Sequence, residues 1–170
     1  MDRYCAGDTA AFEELFKRFQ GRLVRFLTQM VGPTTAVDVT QITFLKVHEN
    51  RHRYKTGHNL AAWVFTIARN TALDHIRSAP RRREVTGVEI DPGEEGPRRD
   101  LFSDERVRAA IGALPDDQKQ VILLHWFGGL TFEEVSKIVG ATSAAVRVRA
   151  HRGYEKLRAA LRPMKQEAQG

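Results

Sequence analysis

The sequence predicts an all-α protein: two small helical domains joined by a flexible linker, with a helix-turn-helix in the C-terminal domain. Its 170 residues are 42% hydrophobic, which suffices for two small cores. Apolar residues recur at three- and four-residue steps, with no strand signal in the first 78 residues. Residues 84–100 are instead rich in Pro, Gly and acidic residues, which is typical of a linker. We predict domains at 1–79 and 105–164, a linker at 80–104 and a tail at 165–170.

The first helix has clear start and stop signals. Asp8 can cap it, and Gly32-Pro33 ends it. Its apolar residues follow the helical period and are expected to face the core: Phe12, Leu15, Phe16, Phe19, Leu23, Phe26, Leu27 and Met30.

Two further helices are predicted in the N-terminal domain. The second spans residues 35–50, and a loop at 51–59 follows it. The third spans residues 60–78 and is closed by Pro80. The residues of the second helix expected on or near its buried side are Val37, Ile42, Leu45 and Phe44.

An aromatic and polar stripe runs along the third helix. Trp63, Asn70 and Arg77 are seven residues apart, so they lie nearly in line. An indole, an amide and a guanidinium in line offer the stacking surface, base-edge donors and phosphate neutralisation that melted nucleic acid requires. A structural alternative remains open, in which Trp63 packs against a neighbouring helix and Arg77 complements the helix C-terminus.

The C-terminal domain ends in a helix-turn-helix pattern, after helices at 104–114 and 115–127. Thr131, with a glutamate three residues later, caps a short helix that Gly140 ends. A three-residue turn leads into a second helix at 144–161, whose apolar stripe runs between two basic flanks. This layout is typical of a motif that places its second helix in the major groove of duplex DNA.

Positive charge is concentrated in this motif. The chain has a formal net charge of +6 and a pI near 9.8. Residues 142–165 alone contain seven Lys or Arg and a single acid, Glu155, for a local net charge of +6. The remainder is almost neutral, so we expect a dedicated anion-binding module rather than a uniformly basic surface.

Cysteine content and hydropathy indicate a cytoplasmic protein. Cys5 is the single cysteine, so no intrachain disulfide can form, as expected in a reducing compartment. No apolar run approaches the ~20 residues that span a bilayer. The N-terminus also lacks a signal-peptide pattern. We expect a cytoplasmic location without membrane insertion.

Three motifs together resemble the bacterial RNA polymerase sigma factors of the extracytoplasmic function (ECF) class. Residues 38–47 are similar to the family's polymerase-clamp helix, with its Asp-x-x-Gln-x-x-Phe core. Residues 63–77 match its promoter-melting segment. Leu114-Pro115 and residues 129–135 and 146–152 match its C-terminal DNA-reading domain. The resemblance implies a protein that brings polymerase to specific promoters and helps to melt the −10 element.

The resemblance implies a role for each matching position. Residues that would contact the polymerase clamp are Asp38, Gln41 and Phe44. Residues in the segment that would read and open the −10 element are Trp63, Asn70, Asp74 and Arg77. The loop that would hold a flipped base contributes Lys55, Thr56, His58 and Asn59. Residues that would contact the −35 element are Ser143, Arg147, Arg149, Arg152 and Lys156.

The resemblance also implies partners. Core RNA polymerase would be bound through its clamp and flap regions, the acidic linker would thread toward the RNA channel, and an anti-sigma factor would hold the protein inactive. No cofactor, metal or catalytic activity is implied. The sequence departs from the family at Ile42, where Glu is usual, and at His48, where an aromatic residue is usual.

Two other functions account for parts of the sequence. A stand-alone helix-turn-helix regulator explains the C-terminal half but not the segments 38–44 and 63–77. A metal-dependent hydrolase would need more ligands than His48 and His52, which lie four residues apart. The sequence contains no His-Glu-x-x-His pattern, phosphate loop or nucleophile elbow to support an enzyme.

Overall fold

The chain divides into two compact units, residues 1–95 (unit 1) and 96–170 (unit 2). A computed structural model describes residues 2–78 and 104–162, and these contain only helices and turns. The all-α, two-domain prediction is thereby confirmed. Apart from Asp104, the predicted linker and tail lie outside the described residues.

The helices follow the order expected from the sequence. In unit 1 the described helices are α1 (Asp2–Cys5), α2 (Ala10–Val31), α3 (Pro33–Glu49) and α4 (Leu60–Ser78). In unit 2 they are α5 (Glu105–Gly112), α6 (Asp116–Gly128), α7 (Phe132–Val139) and α8 (Ser143–Leu161). The sequence analysis did not predict α1 or the 3-10 turn at Arg51–Arg53.

The core of unit 1 is built on α2. Asp8 starts the helix as predicted, because its Oδ1 accepts a hydrogen bond from the Ala10 N–H at 3.0 Å. Phe26 is fully buried and packs its ring edge-on against Phe65 of α4, with centroids 5.3 Å apart. Burial of each such side chain contributes about 1.5–3 kcal/mol to folding. The inner face of α2 therefore holds α3 and α4 in place.

The buried face of α3 differs from the prediction. It consists of Ala36, Val39, Thr40, Thr43, Phe44 and Val47. The hydroxyls of Thr40 and Thr43 donate to carbonyls one turn earlier, both at 2.7 Å, so these polar side chains are satisfied inside the core. Only Phe44 was predicted correctly. The other three predicted residues are exposed: Val37, Ile42 and Leu45.

Unit 2 is organised around α6. Val121, Ile122, Leu123 and Leu124 are all buried, so the middle of this helix is enclosed on every side. α8 approaches it closely at Gly153, where an added Cβ would lie 2.5 Å from the Cδ1 of Ile122. This buried glycine determines how near the helix-turn-helix packs to α6.

Candidate nucleic-acid and partner interfaces

α7 and α8 form the predicted helix-turn-helix. Thr131 Oγ1 accepts from the Glu134 N–H at 3.2 Å, and the Glu134 carboxylate accepts from the Thr131 N–H at 2.8 Å, completing a capping box. Gly140 ends α7 at φ +68°. Thr142 then caps α8 by accepting from the Ala145 N–H at 3.1 Å. Local hydrogen bonds thus define where the basic helix starts.

The outer surface of α8 carries most of the predicted −35 residues. Three of them are exposed: Arg147, Arg152 and Lys156. Ser143 is the first residue of the helix and is half-buried. Arg149 is also half-buried, and its Nε lies 3.4 Å from Oδ2 of Asp117 in the first turn of α6. The sequence analysis did not anticipate this ion pair.

The stripe on α4 combines several cations with one carboxylate. Asn70 and Arg77 are exposed as predicted. The Asp74 carboxylate lies 3.7 Å from Nζ of Lys46 on α3 and 3.9 Å from Nη1 of Arg77. Burial lowers the pKa of Arg69 from its usual value, and the charge of Arg77 lowers it further. The local excess of positive charge suits a phosphate-bearing ligand.

Trp63 packs and remains partly accessible. Its ring meets Tyr54 edge-on, with centroids 5.4 Å apart. The Tyr54 hydroxyl in turn donates to the carbonyl of His58 at 2.6 Å. The ring therefore packs against the loop before α4, and Trp63 is half-buried.

All four residues of the predicted base-holding loop are exposed, and one of them also caps a helix. Lys55, Thr56 and His58 are exposed, as a binding loop requires. The side chain of Asn59 is already engaged, because its Oδ1 accepts from the N–H groups of Ala61 at 2.9 Å and Ala62 at 3.3 Å. Asn59 therefore acts as the N-cap of α4.

The α3 outer face consists of the exposed residues Val37, Asp38, Gln41, Ile42 and Leu45. Phe44 was predicted to join Asp38 and Gln41 in contacting a partner, but it is only 4% exposed, and its ring packs against Phe16 with centroids 4.7 Å apart. Phe44 thus anchors α3 from within. The sequence analysis missed the apolar members of this face, although the family's usual Glu at position 42 was a sign that the position is exposed.

The two histidines weighed for an enzyme do not form a metal cluster. His48 Nδ1 contacts the hydroxyl of Tyr4, and His52 is exposed. Within residues 2–78 and 104–162, no three or more His, Cys, Asp or Glu residues are grouped to hold a metal ion. None of the helices described there is long and apolar enough to cross a membrane.

Comparisons with known proteins assign both units. The Sigma-70 region 2 family model matches residues 15–82, and the Sigma-70 region 4 model matches residues 104–157. The RNA polymerase sigma factor CarQ of Myxococcus xanthus is 37% identical over 168 residues, covering 93% of each chain. The chain belongs to the sigma factors of the ECF class.

This sigma factor has further relatives of the same class. The ECF sigma-E factor of Haemophilus influenzae is 26% identical, covering 96% of this chain and 94% of that one. The sigma factor RpoE of Bartonella quintana, solved with the anti-sigma factor NepR, has a TM-score of 0.73 at 25% identity and covers 89% and 97% of the two chains. As an alternative sigma factor, this chain binds core RNA polymerase and directs it to promoters.

Proposed function

We propose that this sigma factor divides promoter recognition between residues 1–79 and 105–164, with a linker at 80–104 and a tail at 165–170. The first unit binds the polymerase clamp and opens the −10 element. The second unit reads the −35 element. The observation that best supports this division is that unit 1 carries both an apolar α3 outer face and a cationic stripe on α4.

The α3 outer face suits a protein partner rather than DNA. Val37, Ile42 and Leu45 are 40%, 42% and 57% exposed, and a phosphate backbone offers no apolar surface to cover them. Asp38 would repel phosphate, whereas with Gln41 it can form hydrogen bonds at the polar rim of a protein interface. We assign this face to the clamp, with Phe44 supporting it from the core.

Opening the −10 element requires contacts that exist only after the strands separate, because unstacking a base costs a few kcal/mol. The exposed loop at 55–59 would capture the extruded base, while the accessible part of Trp63 stacks at the fork. Asn70 and Arg77 would then follow the strand along α4. Asp74 lies between Lys46 of α3 and Arg77 and partly offsets their positive charge.

We assign contact with the −35 element to the exposed basic residues of α8. Ser143 and Arg149, which are half-buried, lie at the border of this basic surface. A single recognition helix makes few base contacts, so we expect unit 2 alone to bind weakly. Polymerase would hold the two units at the spacing of the promoter elements, so that their binding reinforces each other. We therefore expect the free chain to bind promoter DNA poorly, unlike a stand-alone regulator.

We further propose that an anti-sigma factor controls this protein. The similar RpoE structure contains such a partner, and covering the α3 outer face would block the clamp contact assigned above. Because polymerase and promoter DNA are the proposed partners, we place the protein in the cytoplasm. Its action is binding and strand capture, so we assign it no catalytic activity.

Transcription by a reconstituted holoenzyme tests the proposal. The full chain is mixed with core polymerase and genomic DNA, and the 5′ ends of the transcripts are sequenced. We expect start sites preceded by shared −10 and −35 elements. Absence of specific RNA would contradict the proposal, and a strong promoter footprint from the chain without polymerase would favour a stand-alone regulator.

A further inference from the structure

Unit 1 carries a second basic surface, on α2, that the roles assigned above leave unexplained. Residues 15–37 contain no Asp or Glu, but they include Lys17, Arg18, Arg22 and Arg25. The three arginines follow an i, i+4, i+7 spacing, so they line one face of the helix. Lys17 lies about 100° around the helix from Arg18.

Two of these arginines stack on aromatic rings. The guanidinium of Arg18 lies 5.8 Å from the ring centroid of Phe19. Arg22 lies 5.3 Å from the same ring and 5.5 Å from that of Phe65 on α4. Arg22 therefore spans the α2–α4 boundary. A guanidinium held over a ring is restrained before it meets a ligand, so less conformational freedom is lost on binding an oxyanion.

The cations continue from α2 onto α4. Arg69 follows Phe65 by one helical turn, and it is half-buried. Arg77 follows Arg69 by about two helical turns on the same helix, and its charge adds to burial in lowering the pKa of Arg69. A line of cations therefore connects Arg77, already assigned to the −10 strand, with Arg69 and Arg22.

We propose that Arg18, Arg22 and Arg69, which we call the arginine track, bind the phosphate backbone of the DNA strand that α4 engages. Residues one helical turn apart are spaced by about 6 Å along α2. Planar guanidiniums at such intervals suit a ligand that carries one negative charge per nucleotide. Continuity with the α4 stripe favours DNA over an acidic protein. The inference rests on the proposed role of α4.

The salt dependence of promoter opening tests this inference. Holoenzyme is assembled from core polymerase and the full-length chain, either unaltered or carrying Arg18→Gln, Arg69→Gln or the control Lys17→Gln. Open-complex formation is measured across a KCl titration on a promoter identified by transcript sequencing. Arg18→Gln and Arg69→Gln should each flatten the slope of log K against log[salt] by about 0.7, the value for one single-strand phosphate contact. Lys17→Gln removes the same charge from α2 and should leave the slope unchanged.

Two further measurements separate the outcomes. Affinity for core polymerase should not change in the arginine variants. If core binding weakens while the salt slope stays unaltered, the arginine track contacts an acidic protein surface, and the inference is overturned. The inference would also be overturned if Arg18→Gln and Lys17→Gln gave the same salt slope, because Arg18 would then serve only to cover the ring of Phe19. Arg18 is exposed, so this variant should unfold at the wild-type temperature. If the unaltered holoenzyme makes no RNA, the proposed function fails instead.

Discussion

Asp117 and Arg149 join α6 to the basic helix of unit 2, with Oδ2 of the carboxylate 3.4 Å from Nε of the guanidinium. The Arg149 side chain is 35% exposed, so it is restrained by the pair without being enclosed. A guanidinium has five N–H donors. A carboxylate at Nε can thus orient Arg149 while other donors face DNA.

Asp117→Asn should therefore weaken −35 recognition by about 1 kcal/mol, and Arg149→Ala by about 1–3 kcal/mol if Arg149 reads a base. Asp116→Asn is the matched control, because it removes the same charge at the neighbouring position. The Asp116 carboxylate is 89% exposed and lies 3.5 Å from Lys119 instead of pairing with Arg149. Holoenzyme competition among promoters with altered −35 elements measures both effects. A uniform loss with a flatter salt slope would mean that Arg149 meets only phosphate; equal behaviour of the two Asp variants would contradict the orienting role.

Leu45→Glu should disrupt polymerase binding, because it places a charge in the apolar part of the α3 outer face. We expect a loss of at least about 2 kcal/mol, or roughly 30-fold in affinity. Ile76→Glu adds the same charge at another exposed apolar position, on α4, and should retain core binding; Ile76 is 48% exposed and Leu45 57%. Fluorescence titration of labelled protein with core polymerase measures both. Retained affinity in Leu45→Glu would remove this face from the clamp interface.

Trp63→Ala should slow promoter opening and leave core binding unchanged, since the indole is assigned to stacking at the fork. Loss of one stacked base is worth about 1–3 kcal/mol. Permanganate reactivity of unpaired thymines reports the opening. A template with a pre-formed bubble should restore transcription, whereas Trp126→Ala, which alters an exposed indole of unit 2, should need no rescue. Failure of the bubble to rescue Trp63→Ala would indicate a folding role.

Asn59→Ala should destabilise unit 1 by about 1 kcal/mol, because α4 loses the acceptor for its first N–H groups. The expected decrease in Tm is ~4–8 °C for a domain of this size. Asn59→Asp keeps a capping oxygen and should keep the stability. If Asn59→Asp is stable yet fails to open promoters, the amide also contacts DNA and capping is not its only role.

Gly153→Ala should destabilise unit 2, because its Cβ would lie 2.5 Å from Cδ1 of the buried Ile122. Forcing a methyl group into a packed core costs about 1–3 kcal/mol. Ile122→Val removes that Cδ1, so the double variant should recover part of the lost stability. Thermal unfolding of the single and double variants measures the coupling. If the stability losses of the two single variants simply add in the double variant, α6 and α8 move apart to accept the new methyl group, and the clash with Ile122 is contradicted.

Much of the fold could be predicted because its signals are local. Asp8, the Thr131–Glu134 box and Gly140 act within a few residues of their own helix ends, and all three behave as the sequence predicts. Five of the eight apolar residues of α2 predicted to face the core are buried, because the helical period places them on one face: Leu15, Phe19, Leu23, Phe26 and Leu27. The other three, Phe12, Phe16 and Met30, are half-buried.

What the sequence by itself determined is therefore the set of long helices, their order, and the basic helix-turn-helix. Only the tertiary structure decided which face of α3 is buried and that Arg149 pairs with Asp117. The physical reason is that burial and pairing depend on neighbours distant in the chain. The buried threonines of α3 can take core positions because their hydroxyls donate to backbone carbonyls of the same helix. Leu45 and its apolar neighbours then lie on the opposite, exposed side, where a partner can cover them.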